Sequence, residues 1–521
     1  MKASILRASA LAAAAMLCTA LSAQSPVMTA EIRLDPTASN GSPFNDGVFE
    51  GWGTSLCWWA NRIGYSEKLT DAAVDAFFDQ TKGLKLNIAR YNIGGGDDPA
   101  HRHITRSDSN MPGFAQPVRD PDDAFEFDDD GIVLYQYDWE RDRNQMNVLT
   151  KLFKRNPDAL VEVFSNSPPY FMTWSGCSSG GSGEHKDNNL RPEYAPVFAE
   201  FLADVVKRMR DDLHIKLNSI DPFNEPSSGF WGAYSNKQEG CDIKDNRLKS
   251  RVITELDKAL RGRGVREDIL IAAADETSPD LAINTYRALT PEAKKAVDRI
   301  NAHTYSGSRR TELRTLAETE NKHLWMSEVD GNATAGGQAA GDMSGPLWLA
   351  TRIISDMNSM RPSAWVIWQV IDRHRSDFNA MERANTTLSG SYWGLGIADH
   401  FEEKILLGKK YYAFGQFTRY IRPGDRIIAS SPYTLAAYNR ESGRIAIVAV
   451  NDSGTERSVT FDLRAFDRIP ADSAKVIRTS GPVNAGENWN EDIPSIPVRF
   501  KTFFVRLAPF SITTFVIEQT P

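Results

Sequence analysis

The chain has 521 residues, 41% of them apolar and 25% charged, the profile of a folded soluble protein with room for one large domain and a smaller one. The formal charge of −8 comes without a basic patch, which sets aside nucleic acid as a partner.

In chain order, Lys2 and Arg7 head the apolar run 10–21, and small residues follow at Ala20 and Ala23. That pattern predicts a secretory signal peptide over residues 1–23, too short for a permanent membrane anchor, and no later run is long enough to span. Its removal takes Cys18 away and leaves Cys57, Cys177 and Cys241. Export permits a disulfide, and an odd count leaves one thiol over. Cys177 and Cys241 lie in Gly/Ser-rich loops and are the expected pair; Cys57, between Leu56 and Trp58, reads as a buried free thiol.

Residues 24–47 form an N-terminal segment in which 31–35 has strand character. From 48 to 410, apolar runs bounded by turn signals alternate with amphipathic stretches. Eight strands are predicted, over 47–53, 86–92, 159–165, 217–224, 269–275, 299–305, 323–328 and 364–370. Helical patterns fall between them, among others over 67–80, 192–211, 248–262 and 345–359. Eight strand–helix repeats predict an α/β fold, a (β/α)8 barrel with right-handed crossovers. The long connection 93–147 carries Gly94-Gly95-Gly96 and an acidic stretch over 120–130. A calcium loop through Glu126, Asp128, Asp130 and Gly131 fails, because it puts Tyr137 where a bidentate carboxylate belongs. The stretch is expected to be a solvated loop. From about 411 to 521 helical periodicity gives way to alternation, as in Val459-Thr460-Phe461-Asp462-Leu463, and predicts an attached antiparallel β-sandwich. The strand at 31–35 is expected to join it. Tyr411, Tyr412, Phe414 and Phe417 share a helical face that would pack the sandwich on the barrel. Asn332, Asn385 and Asn451 each begin a glycosylation sequon.

The fourth strand ends in Phe223-Asn224-Glu225-Pro226 and the seventh in Met326-Ser327-Glu328. Carboxyl-terminal strand ends line the mouth of such a barrel, where active sites of this fold lie. Two carboxyls facing each other there suit glycosidic cleavage: one protonates the leaving oxygen, the other attacks the anomeric carbon. Arg90, Asn92, His303, Tyr305 and Trp368 cluster at other strand ends. Trp52, Trp58 and Trp59 follow the first strand and divide between core and sugar, with Trp58 assigned to the sugar. Asp97 is assigned there too, although Asp97 and Asp98 equally suit caps of their own loop. No metal or cofactor is called for, and a monomer is expected. A sugar-binding protein without catalysis is the competing class, and the two glutamates with Asn224 beside one of them argue against it, since a lectin needs no charged pair.

These residues resemble the clan A glycoside hydrolases, and the mature chain is similar to glycoside hydrolase family 30. Phe49-Glu50-Gly51-Trp52-Gly53-Thr54-Ser55-Leu56, Ala89-Arg90-Tyr91-Asn92-Ile93-Gly94-Gly95 and Arg419-Tyr420-Ile421-Arg422-Pro423-Gly424 resemble its endo-β-1,6-galactanase branch. The resemblance implies a retaining enzyme with Glu225 as acid/base and Glu328 as nucleophile. It further implies that Asn224 donates to the sugar 2-hydroxyl, Tyr305 and Arg90 hold Glu328, His303 lines the pocket and Trp368 stacks under the sugar. β-1,6-Glucanase and glucosylceramidase are the alternatives within the family. Ser167-Pro168-Pro169-Tyr170 lacks the Trp that lysosomal glucosylceramidases carry after Ser-Pro, which counts against that specificity.

Overall fold

The structure, a computed structural model, describes residues 30–38, 47–98, 103–104, 106, 109–234, 238–330, 338–339, 342–384 and 391–519. The expected signal peptide and the sequons at Asn332 and Asn385 lie outside them.

Eight parallel strands close into a barrel: β1 (Gly51–Ser55), β2 (Ile88–Asn92), β3 (Leu160–Phe164), β4 (Leu217–Asp221), β5 (Leu270–Glu276), β6 (Arg299–His303), β7 (His323–Glu328) and β8 (Ala364–Ile367). They pair in sequence order, and β8 returns to β1 through Ala364 opposite Gly51. Helices cover the outside, among them Glu67–Phe78, Ala195–Asp211, Asn246–Gly262 and Ser344–Ser359. Ser66 caps the first of these by accepting from Leu69 N at 3.1 Å, and Asp245 caps the third from Arg247 N at 2.8 Å. The strands sit within a few residues of the predicted ones except β1, expected over 47–53 and formed over 51–55. The chain before it is drawn elsewhere: Val48 bridges to Arg426, and Phe49 N donates to Asp425 O at 2.8 Å.

Within the connection 93–147, Ala115–Pro117 pairs antiparallel with Tyr135–Tyr137. Its acidic residues are largely exposed, and their carboxylates close local turns. Asp120 Oδ1 accepts from Asp122 N and Ala124 N, and Asp128 Oδ1 from Asp130 N and Ile132 N.

A six-stranded antiparallel sheet and a three-stranded sheet form the second unit. Phe461, Phe503 and Phe515 fill the space between them with ring centroids 5.0–5.6 Å apart. Ala30–Arg33 pairs with Arg457–Asp462, and it does so in parallel, so the smaller sheet is mixed. The helix Lys409–Thr418 lies between barrel and sandwich. Phe414 and Phe417 meet Trp52 of β1 at 6.0 and 6.2 Å, and Trp52 Nε1 donates to Ile421 O at 2.7 Å. Tyr412 departs from that face and packs edge-on against Trp489 of the sandwich at 5.1 Å. Gln416 bonds the sheet through Thr479 Oγ1 at 2.8 Å.

The expected Cys177–Cys241 bridge is not formed: both are buried free thiols, as is Cys57. Cys177 Sγ instead lies 2.8 Å from Ser179 Oγ, while Cys241 Sγ points to Asp242 O at 3.7 Å, so the two sulfurs face different partners. Asn451 is no acceptor for a glycan, since its buried amide donates to Thr455 O, Leu507 O and Ala508 O. Among the described residues no helix is long and apolar enough to cross a membrane.

Candidate active site

β4 and β7 bring Glu225 and Glu328 to one mouth of the barrel, both about 5% exposed. His303, ending β6, stands between them. Its Nδ1 is 2.9 Å from Glu225 Oε1 and 3.6 Å from Glu328 Oε1. Side-chain atoms of the three residues lie within 4.8 Å of one another.

Each carboxylate is held differently. Glu328 Oε2 accepts from Arg90 Nη1 at 3.0 Å, and Oε1 from the Tyr305 hydroxyl at 3.0 Å. Arg90 is fully buried, and its other donors engage Glu162 at 2.8 Å and Asp275. Glu162 in turn bonds Arg299 and Asn301, so the charges inside the barrel are compensated rather than stranded. Glu225 is fixed through its backbone. It has φ +50, a left-handed conformation costly for a non-glycine residue. Its N–H donates to Asp275 O at 2.8 Å, and its carbonyl accepts from Ser228 N at 3.0 Å and Trp231 Nε1 at 2.9 Å. Gly240 makes room for that indole: a Cβ there would fall 2.2 Å from Trp231 Cε3.

Proton affinities follow from these surroundings. Burial pushes Glu328 up to about 7, against the opposing pull of His303 and Arg90. Burial alone would lower His303, but the Glu328 and Asp275 charges and its bonds to Asp275 and Glu225 hold it well above the usual imidazole range. Asp275, buried beside Arg90 and His303, is held well below the usual carboxylate range because those two charges outweigh its desolvation. His303 Nδ1 faces Glu225 Oε1 at 2.9 Å, with Asp275 Oδ1 3.1 Å behind the ring at Nε2.

Around the pair, Asn224 Oδ1, Trp58 Nε1 and Gln369 Nε2 are buried without a hydrogen-bond partner among the described residues. Such atoms are costly unless a ligand meets them. Trp58 and Trp368 meet edge to face at 5.0 Å and form one wall with Phe164 and Met111. Trp52 and Trp59 are core. Asp97 goes elsewhere: its carboxylate accepts from its own loop at Asp98 N and His103 N, both 3.0 Å, and lies 2.9 Å from His103 Nδ1, beside Cys177. Asn92 also turns away, donating to the buried Glu239 at 2.7 Å and so tying the end of β2 to the loop that carries Glu239. Asp275, Glu162, Trp231 and Gln369 were not foreseen. Glu162 was visible as a lone charge within Leu-Val-Glu-Val-Phe, and Asp275 as an acid ending a strand; nothing local marked Trp231 or Gln369.

Against known proteins, the model of O-glycosyl hydrolase family 30 matches residues 44–285. An endo-beta-1,6-galactanase of Hypocrea rufa is 31% identical over 479 residues, 88% of this chain and 89% of that one. An exo-beta-1,6-galactobiohydrolase of Bifidobacterium longum subsp. longum is 25% identical over 90% of this chain, which spans 38% of that longer protein. In structure, a conserved exported protein from Bacteroides fragilis superposes with a TM-score of 0.71 at 18% identity, covering 93% of this chain and 100% of that one.

Proposed function

The chain belongs to glycoside hydrolase family 30 and is a glycoside hydrolase, and on that premise we propose that it is an exported, retaining endo-β-1,6-galactanase acting on galactan side chains of the arabinogalactan type. The observation that carries the mechanism is the convergence of Glu225, His303 and Glu328 within 4.8 Å. One oxygen of each glutamate lies within 4.8 Å of the other, which supports the ~5–5.5 Å spacing of retaining enzymes over the ~6.5–9.5 Å that admits an attacking water.

In the first step a Glu328 oxygen attacks the anomeric carbon, the glycosidic bond breaks, and Glu225 gives its proton to the departing oxygen. The second step reverses the roles: Glu225 takes a proton from water, the hydroxyl adds to the anomeric carbon, and Glu328 leaves as carboxylate. Arg90 and Tyr305 hold Glu328 in line, Asn224 is placed for the 2-hydroxyl, and Trp58 and Trp368 receive the sugar's C–H face.

The choice of sugar rests on two relatives whose names share the β-1,6-galactosyl linkage. Incubation with β-1,6-galactan, β-1,3-galactan, pustulan and glucosylceramide tests it. Depolymerisation of β-1,6-galactan alone, to products of mixed length, is expected. Cleavage of pustulan or glucosylceramide in preference would move the enzyme to another specificity of the family, and galactobiose as sole product would make it exo-acting.

A further inference from the structure

A groove of about 630 Å³ opens between the loops that follow β1 and β8 and the head of the helix Arg143–Arg155 after β2. All three leave the carboxyl-terminal side of the barrel, the side that carries the catalytic pair. The volume lies within the ~300–1,000 Å³ of ligand clefts. Its walls expose three large rings, Tyr65 and Phe378 at 61% and Phe401 at 47%. Scattered surface aromatics are ordinary, but three around one groove are not.

The rings are held in place. The Tyr65 hydroxyl is 2.9 Å from His400 Nδ1, and the two rings stack at 5.9 Å with planes 15° apart. Phe378 lies under the Arg62 guanidinium at 4.7 Å, and Arg62 is itself fixed by two 2.9 Å bonds to Glu382. Phe401 packs against Arg375 at 5.2 Å, which pairs with Asp399 at 2.7 Å. Each ring is thus pinned by its own charged or aromatic partner, which lowers the ordering cost of binding. Flat, ordered, exposed rings set among the polar side chains of Asn61, Asn144 and Asp377 match alternating C–H faces and hydroxyls.

We propose that this groove is a second glycan-binding site, which holds polymeric substrate outside the catalytic pocket. It rests on the glycan substrate of the proposed function, and its occupant is a stretch of β-1,6-galactan chain. Polymer would gain affinity from two points of attachment, and a short oligosaccharide that fills only the pocket would not.

The test uses full-length protein with Tyr65→Ala and Phe378→Ala, and with Phe378→Trp as the conservative variant. On long β-1,6-galactan the alanine variants should raise KM about tenfold, the order expected for one lost aromatic contact, with kcat unchanged. On β-1,6-galactotriose their kcat/KM should stay near the parent value, and Phe378→Trp should keep both. In affinity gels with embedded galactan or pustulan, catalytically silent Glu328→Gln protein should be retarded by galactan, and adding Tyr65→Ala should abolish most of the retardation. Equal losses on long and short substrates would make the rings supports for the catalytic loops and overturn the proposal. Unchanged KM and retardation would overturn it as well, as would a dimer in light scattering that the same variants dissolve. If the parent cleaves no galactan, the proposed function falls; the gels still decide the groove, since retardation by galactan that depends on Tyr65 supports it, and its absence, or retardation by pustulan alone, refutes it.

Discussion

Tyr305→Phe deletes one oxygen and nothing else. The ring stays, packed edge-on at 5.8 Å against His303, so the perturbation falls on the 3.0 Å bond to Glu328 Oε1. That hydroxyl can only donate to the ionised carboxylate, and a hydrogen bond to a charged group contributes ~1.5–3 kcal/mol. Its loss disfavours the ionised form, so the Glu328 pKa rises above its already elevated value of about 7. At ~1.36 kcal/mol per unit the rise is about 1–2 units. Glu328 must be ionised to attack, so the acid limb of kcat/KM should move to higher pH by the same amount. Below that limb the rate should fall ~10–100-fold, while well above it the variant should approach the parent. The assay is kcat/KM on β-1,6-galactan across the pH range of stability, with the melting temperature as control. An acid limb that stays put, or moves to lower pH, would refute the assignment of Tyr305 as the residue that keeps Glu328 charged.

Glu225→Gln should cost ~10²–10⁴ in kcat on galactan, and much less on a substrate whose leaving group needs no proton, measured as the ratio of the two rates. Trp231→Phe removes the donor that holds the Glu225 carbonyl; steady-state kinetics should show a fall in kcat of roughly 3–10-fold at constant KM, the equivalent of one hydrogen bond. Trp52→Ala should lower unfolding free energy by about 3–5 kcal/mol in denaturant titration, because its ring joins β1 to the helix that carries the sandwich.

The barrel was legible because each strand is a short apolar run and each helix an amphipathic one, eight times over. Glu225 and Glu328 were legible because an acid that ends a barrel strand has one place to go. The network behind them was hidden by distance: Arg90 joins residues 162, 275 and 328, and no local pattern reports such a meeting. The start of β1 was misplaced because Phe49 answers to Asp425, more than three hundred residues away. The disulfide failed for a related reason, since loop composition says where a thiol sits and nothing of where it points. Asp97 suited a cap as well as a sugar, and the structure shows the cap.

Trapping with a 2-deoxy-2-fluoro-β-galactosyl donor carrying an activated leaving group tests the central claim most directly, because the fluorine slows both steps while the activated leaving group restores the first, so the covalent intermediate accumulates. Peptide mass spectrometry should find one fluorogalactosyl group per chain, on Glu328, and NMR of the turnover products should show retained β-configuration. A label on Glu225, or no label together with inverted products, would contradict the double displacement and the roles assigned to the pair.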